Sequence, residues 1–228
     1  MRASTRFPDG AKIDKGNSDG IVARIGRWTM FVQVIEGKVS DKAGLHRQME
    51  RWEAELRPGA AGFLGSTGGV TDDGVGFAIA RFASAAAAKA NSDRAEQGAW
   101  WSETEKCFDG PVSFTDSEDV EEFLGGGSND AGFVQVMKTA NGPSRDVVHS
   151  LDKEFEKHAS TYRPDLIGGV RVWTGESSTV DVNYFTSEAE ARAAEGKEPP
   201  AELAELFSKY ADVIANTEFL DLRDPWLY

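Results

Sequence analysis

The sequence of 228 residues has one cysteine and three histidines. A single cysteine, Cys107, excludes an internal disulfide and any zinc site built from several cysteines. His46, His149 and His158 show no two-histidine metal-binding spacing. His46 and Glu50 are four residues apart on a predicted helix, where an exposed pair is the simpler interpretation. We therefore predict no metal site.

Long apolar runs and positive charge are also scarce. No segment approaches the roughly 18 consecutive apolar residues of a transmembrane helix, and residues 1–26 lack the hydrophobic block of a signal peptide. We therefore expect a cytoplasmic protein without a membrane partner. The 25 basic and 38 acidic residues give a net charge of −13, which disfavours nucleic acid as a partner. A hydrophobic fraction of 40% with 10% aromatic residues is typical of a globular protein.

The chain contains an internal repeat. The tetrapeptide Phe-Val-Gln-Val occupies residues 31–34 and recurs at 133–136, which is 102 positions later. Arg-Pro at 57–58 recurs at 163–164, and Phe82 has a counterpart in Phe185. The number of positions between matched residues varies slightly along the chain, which indicates loop insertions between matched elements. Two copies of one structural unit are predicted.

These matches divide the chain into four segments. The two repeats cover residues 28–117 and 131–228. The segment 118–130 between them is acidic and rich in glycine, which is typical of a flexible linker. Residues 1–27 lack a sustained period and are predicted to be a flexible or extended N-terminal arm.

Each repeat shows the same order of periodicities. A β-branched and aromatic strand is followed by an amphipathic helix, a hairpin of two short strands, a helical segment capped by Ser84 or Ser187, and a final strand. The order β-α-β-β-α-β predicts an α+β, ferredoxin-like unit with both helices on one face of the sheet. Because the first strand is apolar on both faces, we expect the two sheets to pack face to face as an intramolecular barrel.

The Phe-Val-Gln-Val strand, the Tyr-Phe-Thr-Ser-Glu-Ala-Glu-Ala segment at 184–191 and the closing strand resemble the dimeric α+β barrel superfamily. That superfamily includes antibiotic biosynthesis monooxygenases and heme-degrading enzymes, and the chain is similar to its tandem fused members from actinobacteria. The resemblance implies an internal pseudo-dimer, as a monomer or a homodimer. It also implies a small apolar or aromatic ligand, with cofactor-free oxygenases, heme binders and inactive proteins as alternatives.

Positions that differ between the repeats are candidates for a site. Trp52 of the first helix becomes His158 in the second repeat, either as a hydrogen-bonded core histidine or as a ligand to heme iron. The main prediction is that no cofactor is needed, with heme as the alternative. On the third strand, Ala80 becomes Asn183 and Arg81 becomes Tyr184.

In cofactor-free oxygenases of similar fold, Asn, Trp and Tyr side chains line the pocket and position an acidic phenolic substrate for reaction with oxygen. This resemblance implies Trp173, Asn183 and Tyr184, together with Trp101, as ligand-binding residues. Packing of the aromatic side chains in the core is the alternative. We expect Tyr184 to lie beside His158, and Trp52, Ala80 and Arg81 to fill the equivalent space in the first repeat.

Gln33 and Gln135 lie between bulky apolar neighbours on the first strand of each repeat. The two amides could pair across the barrel axis, or they could orient a ligand. The sequence thus predicts a protein that binds a small apolar or aromatic molecule in a pocket between sheet and helices. The alternative is a cofactor-independent or heme-dependent monooxygenase that acts on a small aromatic substrate.

Overall fold

The computed structural model describes residues 30–127 and 129–228. The predicted N-terminal arm, residues 1–27, lies outside the described residues. No helix within the described ranges is long and apolar enough to cross a membrane.

The first repeat contains four strands and two helical regions in the predicted order. Its strands are β1 (Phe31–Lys38), β2 (Phe63–Val70), β3 (Val75–Phe82) and β4 (Ser113–Ser117). Helix α1 (Lys42–Arg51) continues into a π-helical turn, Trp52–Leu56, and the second helical region consists of α2 (Ala85–Ser92) and α3 (Ala95–Thr104). As predicted, Ser84 caps α2, since its hydroxyl accepts a hydrogen bond from the Ala87 amide at 3.1 Å.

A short strand, β5 (Val120–Phe123), precedes the second repeat. The second repeat has the same order of elements, with strands β6 (Phe133–Thr139), β7 (Leu166–Trp173), β8 (Thr179–Phe185) and β9 (Thr217–Leu222). Its helices are α4 (Arg145–Tyr162), α5 (Glu188–Glu195) and α6 (Ala204–Ile214), and the chain ends with β10 (Trp226–Leu227). Ser187 caps α5 as predicted, by accepting a hydrogen bond from the Glu190 amide at 3.2 Å.

Each sheet contains one strand from outside its own repeat. One sheet has the order β10-β2-β3-β1-β4, and the other has the order β5-β7-β8-β6-β9. Strand β5 follows β4 of the first sheet in the chain but pairs with β7, while β10 follows β9 of the second sheet but pairs with β2. The segment 118–130 therefore differs from the flexible linker that its composition predicts, because it contains a paired strand.

The two sheets pack against each other and enclose the largest hydrophobic core. Val32, Val34, Phe77 and Ile79 of the first sheet form one cluster with side chains of the second sheet, which are Val134, Val136, Val170, Val172, Val180, Val182, Tyr184, Leu220 and Leu222. The predicted sheet-to-sheet barrel is therefore confirmed. Since burial of apolar surface is the main driving force for folding, neither sheet could leave this face in water.

Candidate functional site

Each repeat encloses a cavity between its sheet and its helices. The cavity of the first repeat, here the first cavity, has a volume of about 370 Å³, and that of the second repeat, the second cavity, about 410 Å³. The prediction that Trp52, Ala80 and Arg81 fill the space in the first repeat is therefore wrong. Trp52 and Ala80 line the first cavity, whereas Arg81 pairs with Val32, whose side chain lies in the barrel core.

The floor of the second cavity is a row of three side chains across the second sheet, two of which are charged. Arg171 of β7 lies opposite Asp181 of β8, which lies opposite Met137 of β6. All three residues line the cavity. Because side chains alternate between the faces of a strand, Thr179 and Asn183 face the cavity on either side of Asp181.

Arg171 holds a buried ionic network together. Its guanidinium group forms ion pairs with Asp152 of α4 and, at 2.5 Å, with Asp181. The Tyr210 hydroxyl donates a hydrogen bond to Asp152 at 3.1 Å, and the Thr179 hydroxyl donates one to Asp181 at 3.0 Å. The network thus contains two carboxylates for one guanidinium group.

Burial and charge pairing both shift the pKa values of this network. It raises the pKa of the Asp181 carboxyl, although the ion pair with Arg171 acts in the opposite direction. The pKa of Tyr210 is raised by burial and by the neighbouring charge of Asp152. Arg171 stays protonated, because its two carboxylate partners outweigh the loss of solvation and raise its pKa. A carboxyl with a raised pKa is suited to accept a proton from a bound molecule.

Trp173 lines the second cavity and carries a hydrogen-bond donor without a partner. The side chain lies at the end of β7 and is only 3% exposed. Its indole nitrogen is buried and has no hydrogen-bond partner. The Arg145 guanidinium group covers the ring at 4.2 Å from the ring centroid. A buried, unpaired N–H group is unfavourable, and a ligand that accepts a hydrogen bond would relieve that cost.

The first cavity has the same position in its repeat but a different chemistry. Gly68 and Ala78 stand where the second repeat has Arg171 and Asp181, and they lie next to Ile35 in the same row of the sheet. Among the described residues that line this cavity, none is charged.

Aromatic side chains form a large part of the wall of the first cavity. They are Trp52, Phe63, Phe82, Trp100, Trp101, Phe108, Phe114, Trp226 and Tyr228. Many of these rings contact one another edge to face, as Trp52 does with Phe63 and Trp101 with Phe114.

The two cavities divide the residues that the sequence analysis selected. Gln33 and Trp101 line the first cavity. Gln135, Trp173 and Asn183 line the second. The proposed ligand-binding residues are therefore distributed over two separate places.

Tyr184 and His158 do not meet, so the prediction that they lie side by side is wrong. Tyr184 is fully buried in the barrel core, where its hydroxyl is 2.6 Å from the Thr67 hydroxyl of the other sheet. The His158 side chain is 38% exposed and lies 3.7 Å from Glu154 on the same helix. Ala159 takes the buried position on α4 instead. His158 is absent from the described lining of the second cavity, so the structure does not fit its suggested role as a heme ligand.

Gln33 and Gln135 make the same local hydrogen bond in the two repeats. The side-chain amide of Gln33 donates to Asp116 at 2.9 Å, and that of Gln135 donates to Asp221 at 3.0 Å. In each case the acceptor lies directly opposite on the neighbouring edge strand. The suggested pairing of the two glutamines across the barrel axis is therefore wrong.

Arg171, Asp181, Asp152 and Tyr210 are functional candidates that the sequence analysis missed. The signal for two of them was present, because Asp181 alternates with Val180 and Val182, and Arg171 lies between two valines. Polar residues at every second position of a strand indicate a face that is not an ordinary apolar core. The sequence does not show which face of strands β7 and β8 packs against the helices.

No protein-family model matches the sequence, and no curated protein matches it. Solved structures do resemble the fold. A putative monooxygenase from Lactobacillus acidophilus NCFM superposes with a TM-score of 0.65 at 12% identity and covers 88% of this chain and 99% of its own.

Two further structures show the same architecture over both repeats. A putative monooxygenase from Fusobacterium nucleatum has a TM-score of 0.65 at 8% identity, covering 87% of this chain and 94% of its own. An anthrone oxidase-like protein has a TM-score of 0.56 at 11% identity, with 87% and 93% covered. At these sequence identities the similarity establishes the fold but not the ligand or the reaction, which have to be argued from the residues of the site. The chain therefore has the two-sheet α+β barrel fold of these putative monooxygenases.

Proposed function

We propose that the protein binds a small aromatic molecule with a phenolic hydroxyl group in the second cavity. The observation that carries this proposal is the unpartnered indole N–H of Trp173, a residue that lines the same cavity as the carboxylates of Asp152 and Asp181. A phenol suits both features, because its oxygen accepts one hydrogen bond while its O–H group donates another.

The charge of the network supports a neutral, hydrogen-bond-donating ligand. Asp152 and Asp181 carry two negative charges, and Arg171 neutralises one of them. An anionic ligand would be repelled by the remaining charge in a poorly solvated site. A phenol can instead donate its proton in a hydrogen bond to a carboxylate, which is a strong charge-assisted interaction.

The remaining walls fit an aromatic ring. Phe123, Phe155, Phe207 and Tyr210 line the same cavity. Phe155 and Tyr210 meet edge to face with ring centroids 5.9 Å apart. Aromatic walls favour a flat ring through burial and edge-to-face contacts.

Replacing Trp173 by Phe tests the proposal. The substitution removes the N–H donor and keeps an aromatic side chain, so we expect 2-naphthol to bind about tenfold more weakly, which is the effect of one lost hydrogen bond. Isothermal titration calorimetry at pH 7 measures the affinity. The melting temperature should fall by several degrees because Phe fills less of the buried volume, while no hydrogen bond within the protein is lost.

Naphthalene is the matched ligand for this test. It lacks the hydroxyl, so Trp173→Phe should leave its affinity within about twofold. Equal affinities of the original chain and Trp173→Phe for 2-naphthol would contradict the assignment of the N–H as a ligand contact.

A cofactor-independent monooxygenase is the second candidate function. The observation that favours it is Asp181, a buried carboxylate whose raised pKa suits it to remove a proton from a bound phenol. In such a reaction, the carboxylate takes the proton, and oxygen adds to the electron-rich carbon of the phenolate. For a substrate CH₂ group, one oxygen atom ends as a carbonyl, and the other leaves as water with two substrate hydrogens.

Anthrone is a suitable test substrate, since its enol tautomer is a phenol. We expect the protein to consume oxygen with anthrone and Asp181→Asn to do so about 100-fold more slowly, as is typical when a general base is lost. An oxygen electrode measures the rate. Asp93→Asn, at an exposed ion pair with Lys89, is the control and should retain the rate. No oxygen uptake above that of anthrone alone would exclude this activity for anthrone.

A further inference from the structure

We infer that the barrel face of each repeat pairs selectively with the other repeat and disfavours a copy of itself. The barrel face is the side of each sheet that packs into the core shared by the two sheets. Two contacts across this interface carry the inference, one between charged groups and one between hydroxyl groups. The inference concerns the assembly of the barrel and does not depend on the function proposed for the second cavity.

The charged contact joins Glu36 of β1 to Lys138 of β6. A carboxylate oxygen of Glu36 lies 2.8 Å from the ammonium nitrogen of Lys138, and both side chains are partly buried. The two residues are 102 positions apart, which is the offset of the repeated Phe-Val-Gln-Val segment, so they hold the same position in their repeats. A residue that contacts its own counterpart lies close to the axis that relates the two repeats. Two first repeats in this arrangement would therefore bring two Glu36 carboxylates together.

Lys138 supplies the charge that this contact requires. Partial burial disfavours its charged form, but its hydrogen bonds and charge interactions with Glu36 and Glu218 outweigh burial and raise the pKa of Lys138. Glu218 lies 3.0 Å from Lys138 on the neighbouring strand, whereas the first repeat has Ser113 in that place beside Glu36. Like charges repel more strongly where solvent is partly excluded, so a pair of first repeats is disfavoured without Lys138.

The hydroxyl contact joins Tyr184 of β8 to Thr67 of β2, whose oxygen atoms are 2.6 Å apart. Both side chains are buried. Val170 holds the position of Thr67 in the second repeat, because each lies two residues after the glycine at which the register of its strand shifts. Two second repeats would therefore bury the Tyr184 hydroxyl against Val170, which has no hydrogen-bonding group in its side chain. A buried hydroxyl without a partner is unfavourable.

The two contacts thus disfavour the two self-pairings separately. Repulsion between carboxylates opposes a pair of first repeats, and an unpaired hydroxyl opposes a pair of second repeats. Pairing of a first repeat with a second repeat satisfies both contacts. Because the two repeats enclose cavities of different chemistry, this selectivity gives every barrel one cavity of each kind.

The charged contact can be tested in the full chain by giving the second repeat the residues of the first. Lys138→Glu with Glu218→Ser places a carboxylate opposite Glu36, and Lys138→Gln with Glu218→Ser places a neutral amide of the same shape there. We expect the Glu version to melt about 3 °C below the Gln version at low salt, as measured by circular dichroism at pH 7. Adding Glu36→Lys to the Glu version restores an unlike pair and should recover most of this difference. Sodium chloride at about 1 M should reduce the difference by screening.

The hydroxyl contact can be tested in the same way. Thr67→Val gives the first repeat the residue of the second and leaves the Tyr184 hydroxyl without its partner, so we expect the melting temperature to fall by about 4 °C. Adding Tyr184→Phe removes the unpaired hydroxyl and should recover most of the loss, because removing both partners of a hydrogen bond costs less than removing one. Neither group is charged, so sodium chloride should not change this difference.

Equal melting temperatures of the Glu and Gln versions at low salt would overturn the inference for the first repeat. An unchanged melting temperature of Thr67→Val, or a further loss on adding Tyr184→Phe, would overturn it for the second repeat. A Gln version that folds beside a Glu version that does not would support the charged contact. If neither version folds, the comparison of Thr67→Val with its double variant decides. None of these outcomes bears on phenol binding in the second cavity.

Discussion

Residues 28–124, expressed without the second repeat, should self-associate or fail to fold. This fragment would expose the barrel face of its sheet, including Val32, Phe77 and Ile79, which are at most 2% exposed in the full chain. It would also lose β10, the strand that pairs with β2. A large exposed apolar face on a soluble protein drives association. Size-exclusion chromatography with light scattering and circular dichroism will measure the mass and the folding of the fragment.

The full-length chain, measured at the same concentration, is the control for this experiment. A fragment dimer would be informative, because it would show that the first sheet can be covered by a second copy of itself. A soluble, well-ordered monomer of residues 28–124 would contradict the dependence of each sheet on the other.

The fold could be predicted because local and long-range signals agree. The recurrence of Phe-Val-Gln-Val fixed the repeat, and the change from strand to helix periodicity gave the same order of elements in both copies. Strand β5 was missed because Val120–Phe123 is short and acidic, and its stabilising partner β7 lies far along the chain. A strand that depends on such a partner has little local signature.

The candidate site was only partly predictable. Strand alternation separates Asn183 from Tyr184, but both faces of this sheet are covered, so the pattern does not tell which face meets the helices. Tyr184 was therefore assigned to the wrong side. His158 was misplaced for a similar reason, since Ala159 beside it can occupy the buried position on α4. The pairing of Arg171 with Asp152 and Asp181 requires three separate elements to come together.

Replacing Arg171 by Leu should strongly destabilise the protein. The guanidinium group is the shared partner of Asp152 and Asp181, and its loss would leave the buried carboxylate of Asp181 and the partly buried carboxylate of Asp152 without a counter-charge. Removing one partner of a buried ion pair typically costs about 3–5 kcal/mol of the free energy of unfolding. Urea denaturation at pH 7 measures this change. Arg51→Leu, at an exposed ion pair with Glu55, is the control and should cost less than about 1 kcal/mol.

The pH dependence of the stability of Arg171→Leu separates the loss of charge pairing from the loss of packing. Burial already raises the pKa of Asp181, and removal of Arg171 takes away the main interaction that lowers it. With a pKa in the folded state above that of the unfolded chain, Asp181 binds more protons when folded, so stability falls as pH rises through that range. The deficit of Arg171→Leu relative to the original chain should therefore be smaller at pH 5 than at pH 8. A deficit that is the same at both pH values would mean that Arg171 stabilises the second repeat through packing of its side chain alone.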